Sequence, residues 1–517
     1  MKIRTTMPNA SPIDLTVVAV YLLAVTAIGC FMTRRTKTAA EFMSAGGSLP
    51  GWVVGLSIIG TFVSSISFIA NPGKTYAGTW NAFVFSLSLP YAALVATVFF
   101  VPFFRNCGSL SAYEHLEKRF GTWARIYSAM FNIMYHVMRI GTILYGVSVA
   151  VHALIDVPIV SIILVLGVLV ILYTLLGGIE AVIWTDVVQS IVLIGGMILC
   201  LVVLLSKVPG GFSGIIEGAQ LANQNKLSLG SLKLDFAESS FWTVLVFGFF
   251  INLQNFAADQ TFVQRYFTAR SEADARRSVW MGAIAYLPIS AVLFFIGTGL
   301  FVFYATAGSL PDGTIAEKVL PHFMMTELPA GISGLMIAAV LAAAMSTVDS
   351  SLNSSATLLL CDVRNRFFPS RQLAPDGSVI RNERSELRFL RLMTVVLGTL
   401  GVAGALAMNR VQGARLLDIW WQVSVVLSGG TLGLILLARF TRAEGARGAA
   451  LGVIAGITAI AVITLGGLKD PPLWLRPLAQ SVAPVASWLH PLMAIVMGTL
   501  IVFVVGAVFS RRPDPAR

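Results

Sequence analysis

Charge is scarce in this chain. Only 12% of its 517 residues are Asp, Glu, Lys or Arg, while 56% are hydrophobic, a balance that excludes a water-soluble enzyme and calls for lipid as the solvent. Cysteine is scarcer still. Cys30, Cys107, Cys200 and Cys361 show no paired spacing, so neither a disulfide framework nor a zinc site is expected. The histidines, His115, His136, His152, His322 and His490, are scattered. No basic, aromatic-interleaved soluble segment offers a nucleic-acid surface, and no metal-ligand cluster or Ser-His-acid set stands out for enzyme chemistry.

What is present is a succession of apolar runs of about 20 residues, the length a helix needs to cross a bilayer. About thirteen can be placed. The first five are Ile13 to Thr33, Trp52 to Ile69, Thr79 to Phe104, Ile126 to Leu154 and Ile159 to Leu176. Four more follow at Ile183 to Leu205, Phe241 to Phe262, Trp280 to Tyr304 and Ile332 to Leu360. The last four are Leu390 to Met408, Leu416 to Leu437, Ala450 to Leu468 and Pro491 to Phe509. Lys2 and Arg4 precede the first run as in a signal peptide, but Arg34-Arg35 follows it without a small-residue cleavage site, so it reads as a retained helix.

Basic residues collect after alternate runs. Arg34, Arg35 and Lys37 follow the first; Lys118, Arg119 and Arg125 the third; Arg265, Arg270, Arg276 and Arg277 the seventh. Arg364, Arg366, Arg371, Arg381 and Arg384 follow the ninth, Arg442 and Arg447 the eleventh, and Arg511 and Arg512 the last. The intervening stretch Leu310 to Leu328 carries Asp312, Glu317 and Glu327 against Lys318. The asymmetry predicts an outside N-terminus and a cytoplasmic C-terminus in a bacterial inner membrane. The net charge of +11 is then topology plus attraction to anionic lipid, not a nucleic-acid footprint.

Against this background a single charge inside a span is informative. Arg139 sits near the middle of Ile126 to Leu154, where a charge costs at least about 2.5–3.5 kcal/mol unless it meets a cavity or a partner. Its guanidinium matches a carboxylate in a two-pronged geometry, which points to an anionic solute group. The alternative is a structural arginine on helix-end carbonyls or a nearby acid. His136, one turn away, could line the same cavity or be structural.

Four polar interruptions accompany it. The second run holds Gly55, Ser57, Gly60, Thr61, Ser64, Ser65 and Ser67 before Asn71-Pro72-Gly73, a poor continuous helix and a source of oxygen ligands, although small residues also let helices pack closely. The ninth run places Ser346, Thr347, Asp349 and Ser350 within about one turn, oxygens suited to a hard cation. The segment GGIEAVIWTDVVQ (Gly177 to Gln189) sets a glycine pair at a helix end and Asp186 near an inner gate or ion exit. In NLQNFAADQTFVQRY (Asn252 to Tyr266) the density of amides and acid fits either a cavity-lining half-helix or a span end entering a cytoplasmic loop.

Together with SAYEHLEKRF (Ser111 to Phe120), ADQTFVQRY (Ala258 to Tyr266) and AAAMSTVDSSLNS (Ala342 to Ser354), these segments resemble the sodium:solute symporter family, its bacterial sialic acid branch most of all. The resemblance implies an all-α polytopic protein of the LeuT type. Two inverted five-helix repeats, about 50–207 and about 240–439, would have one extra helix before and two after, in one transmembrane domain spanning 1–517.

It also implies sites. A first sodium ion would take backbone carbonyls of Gly60 and Val63, the Ala343 carbonyl and the hydroxyls of Ser346 and Thr347. A second would map to Asp186, Ser346, Asp349 and Ser350, where Asp349 replaces the family's serine; the added carboxylate could bind sodium, bind a proton or point elsewhere. The solute would meet Ser64, Ser67 and Arg139, while Phe62 replaces a threonine, Ala82 a phenylalanine and Ser86 a glutamine. The expected function is sodium-coupled import of a small carboxylated solute, sialic acid in the first instance, by a monomer in contact with lipid. The alternative is a sodium-coupled carrier of a neutral sugar or amino acid. A sensor is disfavoured because the chain ends about eight residues after its last run.

Overall fold

The structure is a computed structural model and describes residues 10–221, 226–306, 310–311, 313–368, 382–410, 430–468 and 476–510. Helix α1 (Pro12–Phe31) opens on a capping box in which Ser11 and Asp14 exchange side-chain and backbone hydrogen bonds, satisfying amides that no helical carbonyl can reach. The same Asp14 carboxylate accepts the Gly331 and Gly334 amides at 2.7 Å each. One acid therefore caps α1 and pins it to the start of a distant helix.

The second run is not one helix. It divides into α2 (Gly51–Phe62) and α3 (Ser65–Ala77), bent by 55°. After α4 (Trp80–Asn106) and α5 (Thr122–Ile155) comes α6 (Ile159–Lys207). The fifth and sixth runs, expected as separate spans, are thus joined in 49 helical residues, about 74 Å if straight and more than two hydrocarbon thicknesses of about 30 Å. Gly178 supplies the turn at φ 58°, ψ −152°. A Cβ there would sit 2.8 Å from the Phe42 backbone, so glycine meets both the dihedral and the close approach.

The seventh run is also two helices, α7 (Phe241–Ala258) and α8 (Gln260–Thr268), separated by Asp259 in extended conformation. The remaining long helices are α9 (Glu272–Thr306), α10 (Ile332–Leu358), α11 (Glu383–Arg410) and α13 (Ala446–Gly466), with two shorter apolar helices, α12 (Gly430–Phe440) and α14 (Met493–Phe509). Most of the expected run Leu416 to Leu437 lies outside the described residues, as do Arg371, Arg381, Arg511, Arg512, Asp312 and the first residues of the chain. Among the described residues, nine helices are long and apolar enough to cross a membrane, and the bent pair makes a tenth if taken as one.

Burial ranks these helices. The apolar window of α1 is 22% buried and that of the helix beginning at Ile332 is 89% buried, so α10 is the axis of the molecule and α1 faces lipid. Helix α10 packs on α1, α5, α6 and both halves of the α2/α3 pair. Buried ends of the two broken helices are joined by a parallel bridge: the Leu49 amide donates to the Thr268 carbonyl and the Arg270 amide to the Leu49 carbonyl, each at 3.0 Å.

Candidate functional site

The break between α2 and α3 has a local cause. Val63 leaves the helix at φ −87°, ψ 96°, and Ser64 caps α3. The Ser64 amide donates to Ser67 Oγ at 3.0 Å and the Ser67 amide to Ser64 Oγ at 3.2 Å. In a continuous helix those two amides would close on the carbonyls four residues back, Gly60 and Val63. The capping box diverts them, leaving carbonyls suited to an ion at the positions that resemblance assigns to sodium.

Opposite lies α10. A Cβ on Gly60 would come 2.8 Å from Ser346 Oγ and 3.0 Å from Ser190 Oγ, so the absence of a side chain lets the break approach these hydroxyls. Thr347 Oγ1 donates to the Ala343 carbonyl at 3.0 Å, which places both groups on one turn of α10. Gly60 and Ser346 are therefore brought together, with Ala343 and Thr347 on the same turn of α10 as Ser346.

Next to this cluster is a buried ion pair. Arg265 on α8 and Asp186 on α6 are both wholly shielded from solvent and 2.9 Å apart. The guanidinium also donates to Ser57 Oγ (2.8 Å), Ser350 Oγ (2.7 Å) and the Thr261 carbonyl (2.6 Å). Asp186 in turn accepts the hydroxyls of Ser57 and Ser346. Of the residues expected at a second sodium position, Asp186, Ser346 and Ser350 meet around Arg265, and the guanidinium lies between Asp186 and Ser350. Asp349 is turned aside: its Oδ2 accepts the Tyr173 hydroxyl at 2.6 Å, and its buried Oδ1 has no partner among the described residues.

Arg265 corrects the sequence reading, which counted it among the cytoplasmic loop charges; it belongs to the core, because α8 is almost entirely buried. The polar run around it is a buried half-helix wired to its neighbours rather than a span end entering a loop. Gln264 Nε2 donates to Asn353 Oδ1 at 2.8 Å and to the Met43 carbonyl at 2.7 Å. Tyr113 and Tyr266 donate their hydroxyls to the Ala258 and Phe256 carbonyls at 2.7 Å, satisfying the backbone that the break frees.

Arg139 is different. Half-buried, it donates one hydrogen bond of 3.4 Å, to the Thr61 carbonyl at the end of α2, and its Cζ lies 6.0 Å from the Tyr135 ring. Among the described residues this helix-end carbonyl is its hydrogen-bond partner, and a guanidinium has five N–H groups. Beside it His136 is fully buried, its Nε2 3.1 Å from Asp259 Oδ1, so this histidine braces the α7/α8 break. Ser64 and Ser67, half-exposed, cap α3 and keep lone pairs free. Phe62 packs into an aromatic cluster with Phe256, Phe262 and Tyr286 at centroid distances of 5.5, 4.7 and 5.7 Å. Ser86 Oγ is paired with Ser290 Oγ at 2.7 Å. Ala82 lies in a short 3₁₀ turn at the start of α4.

Comparison with known proteins identifies the family and the fold. The sodium/sialic acid symporter NanT of Aliivibrio fischeri is 32% identical over 492 residues, 94% of this chain and 90% of that protein. The sodium/sialic acid symporter SiaT of Proteus mirabilis is 33% identical, covering 86% and 88% respectively. The substrate-bound, outward-open structure of a Na+-coupled sialic acid symporter superposes with a TM-score of 0.84 at 29% identity, over 96% of this chain and 97% of that one. The fold is thus the LeuT type, with α2/α3 and α7/α8 as its discontinuous helices. Residues 42–456 match the sodium:solute symporter family, and the chain belongs to that family, as a multi-pass, sodium-coupled membrane transporter and not an enzyme.

Proposed function

We propose that this protein imports a carboxylated solute, a sialic acid such as N-acetylneuraminate, together with sodium. The observation that carries the reading is Arg139, a half-buried guanidinium within a membrane span whose one hydrogen bond among the described residues is 3.4 Å long. Such a group has unused donors for a bidentate carboxylate. Resemblance to the two sialic acid symporters supports the same cargo. Ser64 and Ser67 stand beside the break that Arg139 touches and complete the contact. Phe62, Ala82 and Ser86 add apolar surface or are already paired, so the carboxylate anchor dominates.

The coupling ion sits between α2 and α10, on the carbonyls of Gly60, Val63 and Ala343 and the hydroxyls of Ser346 and Thr347. Sodium there joins the broken helix to the axis of the molecule and favours one face of the alternating-access cycle, by its differential affinity for the two states. Asp186, Ser350 and Asp349 form the second position, where Arg265 holds the Asp186 carboxylate and a further ion enters only against that guanidinium. One sodium with one solute anion moves no net charge, and a tenfold sodium gradient then supports about tenfold accumulation. Two sodium ions release about 2.8 kcal/mol from such a gradient and add about 2.3 kcal/mol per 100 mV. Charge moved per solute separates the two cycles. The basic-residue asymmetry supports an outside N-terminus and a cytoplasmic C-terminus for a monomer in the bacterial inner membrane.

The experiment is sodium-dependent uptake of N-acetylneuraminate into proteoliposomes with wild type and Arg139→Ala. Uptake falls at least a hundredfold in the variant while the amount of reconstituted protein is unchanged. Wild-type uptake by Arg139→Ala removes the anchor. Competition by neutral sugars or amino acids, with none by acids, establishes the alternative cargo instead.

A further inference from the structure

The strap 107–113 joins α4 to a short helix, Glu114–Phe120, without regular structure of its own, yet Ser111, Ala112 and Tyr113 are buried. Buried irregular backbone must find its hydrogen-bond partners elsewhere. On one side they come from Gln260, the first residue of α8 and itself wholly buried. Its Oε1 accepts the Ala112 amide at 2.9 Å and its Nε2 donates to the Leu110 carbonyl at 2.8 Å, so one side chain brackets the strap at two points. The Tyr113 hydroxyl adds a third contact, to the Ala258 carbonyl just before the α7/α8 break, at 2.7 Å.

On its other side the strap is held by charge. Ser111 Oγ donates to Asp362 Oδ2 at 2.7 Å, in the π-helical turn Leu359–Arg364 that continues α10. Arg125, in the first turn of α5, donates to Asp362 Oδ1 at 2.5 Å, to Glu117 Oε2 at 2.9 Å and to the Cys361 carbonyl at 3.0 Å. Hydrogen bonds with an ionised partner are roughly twice as strong as neutral ones. Strap, short helix, α5 and the end of α10 therefore form one riveted piece, whereas the three bonds to Gln260 and Ala258 are neutral. The remaining side-chain bonds in the first turn of α8, from Thr261 to His136 and Ser354, are long at 3.2 and 3.3 Å. Further along the helix, Arg265 keeps α8 on α6 and α10. The weak seam is thus the Gln260 end of α8, and the Arg265 clasp is the pivot.

We propose that Gln260 is the latch of the inner gate, an inference that rests on the alternating-access reading above. It closes α8 onto the strap on the side that Arg119, Arg125, Arg364 and Arg366 assign to the cytoplasm, and it lets go when the cargo path opens inward. The Arg125 network stays closed throughout as the fixed post. Releasing the bracket bares a buried amide and a buried carbonyl that water must then satisfy, so unlatching and wetting of the strap are one event.

The test is hydrogen–deuterium exchange of the purified full-length protein in potassium and in sodium buffer, read on peptides covering the strap and on peptides covering the α2/α3 break, for wild type, Gln260→Met and Tyr113→Phe. In wild type, sodium slows exchange of the strap at least about threefold relative to potassium, because the ion favours the state in which the inner side is closed. Gln260→Met removes both points of the bracket at similar volume, and its strap exchanges at least about tenfold faster than that of wild type in sodium. In uptake, its external sodium concentration for half-maximal rate rises at least about threefold, since the sodium-binding state is less populated. Tyr113→Phe, which removes one bond of the same seam, shifts both readouts in the same direction by a smaller factor. A wild-type strap that exchanges equally in the two buffers while the α2/α3 break responds to sodium overturns the latch and leaves the transport reading standing. Wild-type strap exchange in Gln260→Met does the same. If neither region responds to sodium, the alternating-access reading falls and the latch with it.

Discussion

Arg139 and Arg265 both lie within the helical bundle, and their surroundings are opposite. Arg265 has no solvent exposure and is held by Asp186, Ser57, Ser350 and the Thr261 carbonyl. Arg139 is half-buried and reaches one carbonyl at 3.4 Å. Both meet the requirement that a charge in this environment find a partner or a cavity. Arg265 met it within the chain and thereby became a clasp across α6, α8 and α10. Arg139 is left half-exposed, with most of its donors unused among the described residues. Saturation, more than the residue type, separates a structural cation from a receptor.

The largest effect that would break this contrast is on stability. Removing one member of a buried ion pair leaves the other uncompensated, at about 3–5 kcal/mol. Arg265→Gln strands Asp186 in this way. The variant is expected to melt far below wild type in detergent, or to fail to reach the membrane. Arg139→Gln breaks no ion pair among the described residues, Asp259 nearby being held by His136, so its melting temperature without cargo should stay within a few degrees of wild type although cargo binding is lost. Equal destabilisation by the two substitutions would show that Arg139 is structural after all.

The same contrast explains what could be read from sequence. Arg139 was legible because a lone charge interrupts a long apolar run. Arg265 was not, because Arg270, Arg276 and Arg277 follow within a dozen residues and the group passes for loop charge that sets topology. A usable signal existed: Asp186 lies in an apolar run and needs a cation, and Arg265 ends a run of buried-type amides. Likewise the small-residue stretch of the second run announced an interruption, but not its position. That is set by Ser64 and Ser67 capping each other, a serine pair in place of the usual Ser/Thr with Glu/Gln. The turn at Asp259 depends on Tyr113, almost 150 residues away, and on Tyr266. Asp349 was legible as an expensive residue, whereas its partner Tyr173 lies 176 residues earlier. Local chemistry marked the sites; partners distant in sequence decided what each charge does.

A smaller effect sharpens the comparison by testing whether the Arg265 clasp reaches the ion. Ser346 stands between them: its hydroxyl donates to Asp186, the acid that Arg265 holds, and it lies 2.8 Å from where a Cβ on Gly60 would sit. Gly60→Ala inserts a methyl 2.8 Å from Ser346 Oγ, too close for an ordinary contact, and the hydroxyl must rotate or the break must move. Neither response unpairs Arg265, so stability should change little. The sodium concentration for half-maximal uptake should rise about tenfold, equivalent to about 1.4 kcal/mol of lost ion binding, and Ser346→Ala should shift it in the same direction. Unaltered sodium dependence in Gly60→Ala would place the ion away from the α2 break. A collapse of stability in its place would mean that this methyl reaches the ion pair, and that clasp and ion site are one structural unit instead of neighbours sharing a serine.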